Sequence, residues 1–242
     1  MQSISSFLAD WAKRRGATCP VVIVRNGANP ESIKPEYSID ELEELKKQLG
    51  KKDEDVYLVN TARLVHQKGW DTTMKALLLL PTHIKLLVVG GGPDESMLKN
   101  LAKELKIEDR VIFTGQIDRS DVTKYRLISD IFVGPSRSEG LGNAFVSAMA
   151  GGLPVIATQV GGIADFLFDT DINPDKLATG WAVDTDSPEH IAEKVNYILS
   201  HPEEVKEVTK QAQLMVLKEY AWDIIAKRMR EEIFEYTFNQ NL

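Results

Sequence analysis

Four short segments of the sequence carry groups suited to holding an anion. Arg63 and Lys68 lie five positions apart in "ARLVHQKGWD" (62–71), across a strand-to-helix turn, so both cations can reach one mouth. A diphosphate needs fixed positive charge of this kind, to neutralise its oxygens and to stabilise a departing phosphate. By themselves the two residues also fit a pair of solvated surface cations. The run Gly90-Gly91-Gly92-Pro93 can cradle a phosphate. It lacks the later helix-opening glycine of the dinucleotide fingerprint, so a tight turn is the competing reading. Thr114-Gly115-Gln116 forms the third segment.

The fourth, "PSRSEGLGNAFVSAMAGGLPV" (135–155), is the most specific. Gly140 and Gly142 let backbone approach a ligand closely. Free N–H groups of Leu141, Gly142, Asn143 and Ala144 would cap a phosphate at the positive end of the helix that follows. Small residues at Ala144, Ser147, Ala148 and Ala150 let that helix press on a sheet. Glu139 stands just outside the anion site. A carboxylate there suits recognition of sugar hydroxyls, since it only accepts hydrogen bonds; a solvated glutamate near a helix start is the alternative.

These segments sit at corresponding places in a repeating pattern. Apolar runs at 56–61, 84–89, 110–115, 130–134 and 153–159 read as strands. Helical periodicity fills 38–50, 69–81, 94–107, 121–129 and 142–152 between them. Short continuous apolar strands separated by helices imply right-handed βαβ units and a parallel sheet covered on both faces. The expected fold is a doubly wound, Rossmann-like α/β domain over roughly 50–200. Each candidate segment then follows the C-terminal end of a strand, where such sheets bind ligands. Helices without intervening strands complete the C-terminal part. "MQSISSFLADWAKRRGATCP" reads as a short amphipathic helix, and "VVIV" (21–24) as a further strand.

Composition narrows the function. The 242 residues are 43% hydrophobic and 27% charged, as in ordinary globular proteins. A formal net charge of -7 argues against a general nucleic-acid binder, which needs a basic face. The single cysteine, Cys19, excludes an internal disulfide framework and fits a reducing, cytoplasmic setting. Nothing marks it as an activated nucleophile. No apolar run approaches the roughly 18 residues of a membrane-spanning helix, and the N-terminus lacks the features of a signal peptide.

Together these segments resemble the nucleotide-binding half of GT-B glycosyltransferases, particularly the retaining family 4 group. The likeness runs in order through "RNGAN" (25–29), "ARLVHQKGWD", "LLVVGGGPDESMLKNLAKEL" (86–105), "RVIFTGQI" (110–117), "DIFVGPSRSEGLGNAFVSAMAGGLPVIATQVGGIAD" (130–165) and "YAWDIIAKR" (220–228). The resemblance implies that Arg63 and Lys68 hold the diphosphate of a UDP- or GDP-type sugar donor. Backbone amides of Leu141 to Ala144 would take its distal phosphate, with Gly91, Gly115 and Gln116 around the rest of the nucleotide. Glu139, the first glutamate of the family's Glu-x7-Glu motif, would meet the transferred sugar. No cofactor and no metal is implied, and no protein base; His66 is expected to be a loop residue.

Two departures from that family pattern matter. The second glutamate of the motif, which in the family usually binds the nucleotide ribose, is Ser147 here. Loss of charge-assisted bonds would cost donor binding about 1–3 kcal/mol, with Asn143 or a water as a partial substitute. The other departure is that residues 1–36 match only a last helix and linker of the acceptor lobe. Residues 37–218 would be the donor-binding domain, and 219–242 a helix that crosses to the absent lobe. The expectation is a donor-binding lobe, excised or from a truncated or split gene, with an unknown acceptor. Phe7, Leu8 and Trp11, with part of the C-terminal helix, are expected to expose an apolar patch for an acceptor-lobe chain or self-association. Membrane contact would come only through the other lobe. The alternative is a non-catalytic scaffold or regulatory subunit that keeps the fold and has lost donor binding.

Overall fold

The computed structural model describes residues 1–28, 30–33 and 36–235. The chain opens with β1 (Gln2–Ser3), α1 (Ser6–Arg14), β2 (Val22–Ile23), α2 (Pro30–Ile33) and α3 (Ile39–Gln48). The alternating part follows as β3 (Val56–Thr61), α4 (Trp70–Leu77), β4 (Ile84–Val89), α5 (Glu95–Glu104), β5 (Val111–Gly115), α6 (Val122–Leu127), β6 (Ile131–Gly134), α7 (Asn143–Ala150) and β7 (Val155–Ala157). A short β8 (Trp181–Ala182) precedes α8 (Pro188–Ser200), α9 (Pro202–Glu219) and α10 (Trp222–Arg228), which runs into a π-helical turn over Met229–Glu235.

Strands β3 to β8 form one parallel sheet in the order β5-β4-β3-β6-β7-β8. Its residues alternate between two cores, as the two-residue period of a strand requires. Leu58, Leu86, Val88, Ile131, Val133 and Ile156 face one core with Trp70, Met74, Leu77, Leu98, Ile191 and Val195. Tyr57, Val59, Leu87, Val89, Phe132, Val155 and Ala157 face the other with Phe145, Val146, Ala212, Val216 and Tyr220. Helices α4, α5 and α8 therefore cover one face, and α7 and α9 the other. This is the doubly wound α/β fold that the strand-helix alternation predicts.

The strand order reverses between β3 and β6. From β3 the chain proceeds to α4 on one face and adds β4 and β5 outward. From β6 it proceeds to α7 on the opposite face and adds β7 and β8 the other way. The loops after β3 and β6 thus lead to opposite faces of the sheet, and the switch-point crevice where such sheets bind ligands falls at their carboxyl ends.

The C-terminal helices follow one another without a strand, as expected, and the departure lies at the N-terminus. The N-terminal segment is not helix alone: β1 precedes α1, and Ser5 caps α1 by accepting from the Leu8 amide. The strand in "VVIV" pairs with β1 in a separate two-stranded sheet rather than joining the main one. This small unit is anchored to the large one through polar contacts. The Ser6 amide donates to Asp165 at 2.8 Å, Arg25 lies 3.8 Å from the same carboxylate, and Arg228 donates to the Ile23 carbonyl at 3.0 Å. The ring of Trp222 covers Gly27 so closely that a Cβ there would lie 2.8 Å from it.

Phe7 and Trp11 are exposed as expected, at 38% and 49%, and Trp222 and Phe234 also reach solvent. Leu8 differs. It is half-buried, with its Cδ1 against Gly140. Asn29, at the end of "RNGAN", and residues 236–242 of the expected last helix lie outside the described residues. No helix among the described residues is long and apolar enough to cross a membrane.

Candidate functional site

The crevice between β3 and β6 is built by backbone packing in which glycines are obligatory. After β3 the chain turns through Arg63 into a 3₁₀ turn, His66–Lys68, and ends it at Gly69 with φ 68°. The Trp70 indole N–H donates to the Arg63 carbonyl at 3.1 Å and fixes the turn from the core side. Gly69 lies against the loop after β6, where a Cβ would fall 2.1 Å from the Pro135 carbonyl oxygen. The two loops that bound the crevice are therefore in direct backbone contact.

Glu139 and Gly140 are held from the other side. The Gly162 amide donates to the Glu139 carbonyl at 3.1 Å. Gly161 has φ 59°, and a Cβ on it would lie 1.9 Å from the same oxygen. Gly142 then adopts φ 97° and starts α7 without a side-chain cap, which leaves the first amides of that helix directed at its N-terminal end. Phe145, one turn in, packs over Gly134 at the end of β6 and makes an edge contact with Phe132, ring centroids 5.2 Å apart.

Across this crevice the Lys68 ammonium donates to a Glu139 carboxylate oxygen. Both side chains are largely sheltered, 22% and 14% exposed. The sequence placed each of them after the carboxyl end of a strand but did not show that they pair. Arg63 is exposed and lines an adjacent cavity of about 700 Å³. Gly91, Gln116, Ile117 and Glu95 line the same cavity, whose size suits a nucleotide-sized ligand.

The glycine run after β4 divides into two roles. Gly90 and Gly92 face the chain after β3, where added Cβ atoms would strike the Ala62 and Leu64 carbonyl oxygens at 2.3 and 2.4 Å. Those two serve a tight turn. Gly91 alone would accept a Cβ, in ordinary contact with Gln116 at 3.7 Å, and it lines the cavity. Gly115 ends β5 at φ 70° and accepts from the Gly90 amide at 3.0 Å, so its backbone joins the two strand ends.

The remaining candidates separate as well. Gly140 adjoins Glu139 beneath Leu8, and Ala144 is half-buried on the first turn of α7. The Leu141 side chain belongs to the core, which leaves only its backbone for a ligand. Asn143 is exposed at the start of α7, whereas Ser147 is 4% exposed and lies outside the lining of the cavity.

Arg137 escaped the sequence reading. Its guanidinium donates to Asp71 at 2.9 Å, to Asp186 at 2.7 Å and to the His66 carbonyl at 2.6 Å. The Asp71 hydrogen bond holds the guanidinium above its ordinary pKa, against the opposing effect of burial, with Asp186 adding to the rise. Its partners are distant in sequence, so no local spacing marks it. Gly161 and Gly162 did carry a signal, as a glycine pair directly after a strand. His66 is a turn residue, as expected, and serves through its backbone carbonyl.

Comparison with known proteins assigns the chain. Residues 41–215 match the family described as glycosyl transferases group 1. The chain belongs to that family. Among its relatives are an uncharacterized glycosyltransferase of Methanocaldococcus jannaschii, 28% identical over 209 residues, covering 86% of this chain and 52% of that protein. Another is a GDP-mannose-dependent alpha-(1-6)-phosphatidylinositol monomannoside mannosyltransferase of Mycobacterium tuberculosis, 30% identical over 184 residues, covering 72% of this chain and 46% of that protein. The group 1 chain thus spans about half the length of these curated relatives. Its fold matches HepE of Anabaena, solved with UDP and glucose, at a TM-score of 0.86, with 20% identity, over 96% of this chain and 62% of that one. It also matches a sucrose-phosphate synthase of Thermosynechococcus elongatus, at a TM-score of 0.83, with 25% identity, over 99% of this chain and 58% of that one.

Proposed function

We propose that this chain is the donor-binding, C-terminal lobe of a retaining family 4-type glycosyltransferase, and that it binds a nucleoside-diphosphate sugar in the β3/β6 crevice. The observation that carries the reading is the Lys68–Glu139 pair at the sheet's switch point, beside the cavity lined by Arg63. The relatives and neighbours include a GDP-mannose-dependent enzyme and a protein solved with UDP, which supports a UDP- or GDP-type donor.

In this reading the donor's base lies by Gln116 and Ile117, and its diphosphate runs past Arg63 to Lys68. Phosphate oxygens replace Glu139 as the partner of Lys68. The freed carboxylate then accepts hydrogen bonds from hydroxyls of the transferred sugar. As the glycosidic bond to the diphosphate lengthens, negative charge grows on the leaving oxygen. Arg63 and Lys68, once on the diphosphate, and the opening amides of α7 stand where that charge appears, so their attraction is strongest in the transition state. These groups supply the charge stabilisation without a metal. The curated relatives are about twice as long as this chain, and the acceptor would be bound by the lobe that the rest of such a length supplies, in the cytoplasm.

Calorimetric titration with UDP, GDP and ADP, wild type against Arg63→Ala, tests the reading. At least one nucleotide should bind, and the substitution should weaken it about tenfold, as loss of a charge-assisted contact does. Absence of binding by all three would favour the second reading, a scaffold that has lost donor recognition. The buried serine at position 147, in place of the family's glutamate, is the observation on that side.

A further inference from the structure

Arg137 stands two residues before Glu139, yet its charge is committed to the protein. Asp71 and Asp186 neutralise it, the His66 carbonyl takes another N–H, and the side chain is 15% exposed. A cation so engaged is not available to a phosphate. Its contacts instead converge on the segment that carries Lys68. The Arg137 amide donates to the Gln67 carbonyl at 2.7 Å, and the guanidinium reaches His66 on one side of Lys68 and Asp71 on the other. Asp186 contributes from the loop after β8. It is one of two non-glycine residues with positive φ among the described residues, at 59°, a conformation that Asp tolerates better than most.

We propose that Arg137 is a positioning residue, which holds the 66–68 turn in register with Glu139 so that Lys68 meets the donor diphosphate. The proposal rests on the donor-binding reading above. It adds that the grip of Lys68 on phosphate depends on a residue that never touches the ligand. An Arg is suited to this: its planar fork serves two carboxylates and a carbonyl at once, which an ammonium at the same place cannot do.

A double-substitution cycle separates positioning from general stabilisation. UDP, GDP and ADP are titrated calorimetrically, with uridine, guanosine and adenosine as controls that lack phosphate. The proteins are wild type, Arg137→Met, Lys68→Ala and the double variant. For the nucleotide that binds, Arg137→Met should weaken affinity about fivefold to twentyfold, and less than about twofold on the Lys68→Ala background, the non-additivity of residues that act together. Affinity for the matching nucleoside should stay within about twofold in every variant. Asp186→Asn, on the surface, keeps a side chain suited to its backbone and serves where Arg137→Met does not fold. It should weaken the nucleotide about twofold to threefold, and not at all when Lys68 is absent. Additive losses, equal losses for nucleoside and nucleotide, or an unchanged affinity in either variant would overturn the proposal. A wild type that binds no nucleotide would overturn the donor reading itself, and this proposal with it.

Discussion

The Lys68 ammonium and the Glu139 carboxylate are paired across the loops that follow β3 and β6, at the one place where the sheet order reverses. Two groups expected to meet different parts of a ligand thus meet each other. On the proposed donor-binding reading, a diphosphate that enters the crevice competes with Glu139 for Lys68.

Glu139→Gln should therefore tighten binding of the bare nucleoside diphosphate. Removing the competing charge from a sheltered pair is worth about 1 kcal/mol, or roughly fivefold in affinity. The nucleotide sugar should not share the gain, because the amide recognises hydroxyls less well than the carboxylate. Parallel titrations with UDP and a UDP-sugar, or the GDP pair, check this. Equal gains for both would remove the sugar-facing role of Glu139.

Gly161→Ala should displace the Glu139 backbone. The new Cβ would meet the Glu139 carbonyl oxygen at 1.9 Å, at a φ of 59° that alanine resists. A stability loss of about 1–3 kcal/mol is expected, together with loss of nucleotide binding in the folded fraction. Gly50→Ala is the control, since its φ is 67° but nothing lies within 4 Å of the added atom. It should cost about 1 kcal/mol and leave binding intact. Urea denaturation and calorimetry on the same samples distinguish the two.

Ser147→Ala should change nucleotide affinity by less than about twofold, or ~0.4 kcal/mol, because Ser147 is buried away from the cavity lining. A larger loss, measured by calorimetry, would return Ser147 to the binding surface. Ser147→Glu asks the converse, and strong added affinity would show a pocket complete except for that carboxylate.

The contrast between Ser147 and Arg137 shows what the sequence could convey. Strands β3 to β7 were legible because each is a continuous apolar run, and the residues of β3, β4 and β6 alternate between two cores as parallel strands do. β8 was not, since two residues are too few to show a period. Candidate ligand groups were legible because strand-end loops follow from the alternation itself. Their pairing was not: the partner of Lys68 lies 71 positions away, and those of Arg137 lie 66 and 49 positions away. The glycine run 90–92 looked uniform in sequence, and only the backbone of residues 62–64 divides it into two packing glycines and one that would tolerate a side chain. Likewise β1 has no signal of its own and exists because it pairs with β2.

Acid should expose the Arg137 cluster. Burial pushes the Asp71 carboxyl up, but the hydrogen bond and charge of Arg137, with help from Lys75, outweigh it and hold the group below its usual value. The folded-state pKa is thus lower than the unfolded one of about 3.9. Its stabilisation is present above that unfolded value and is lost as pH falls through the folded pKa. Urea midpoints followed from pH 6 to pH 3 should decline more steeply in wild type than in Arg137→Met. Identical slopes would separate Asp71 from Arg137.

The exchange of partners at Lys68 is the central claim, and a crystal structure of the chain with its preferred nucleoside diphosphate tests it most directly. The account predicts the diphosphate in the β3/β6 crevice, with Lys68 turned from Glu139 to a phosphate oxygen and Arg63 drawn in beside it. A diphosphate bound elsewhere, or one bound while Lys68 remains on Glu139, would contradict it.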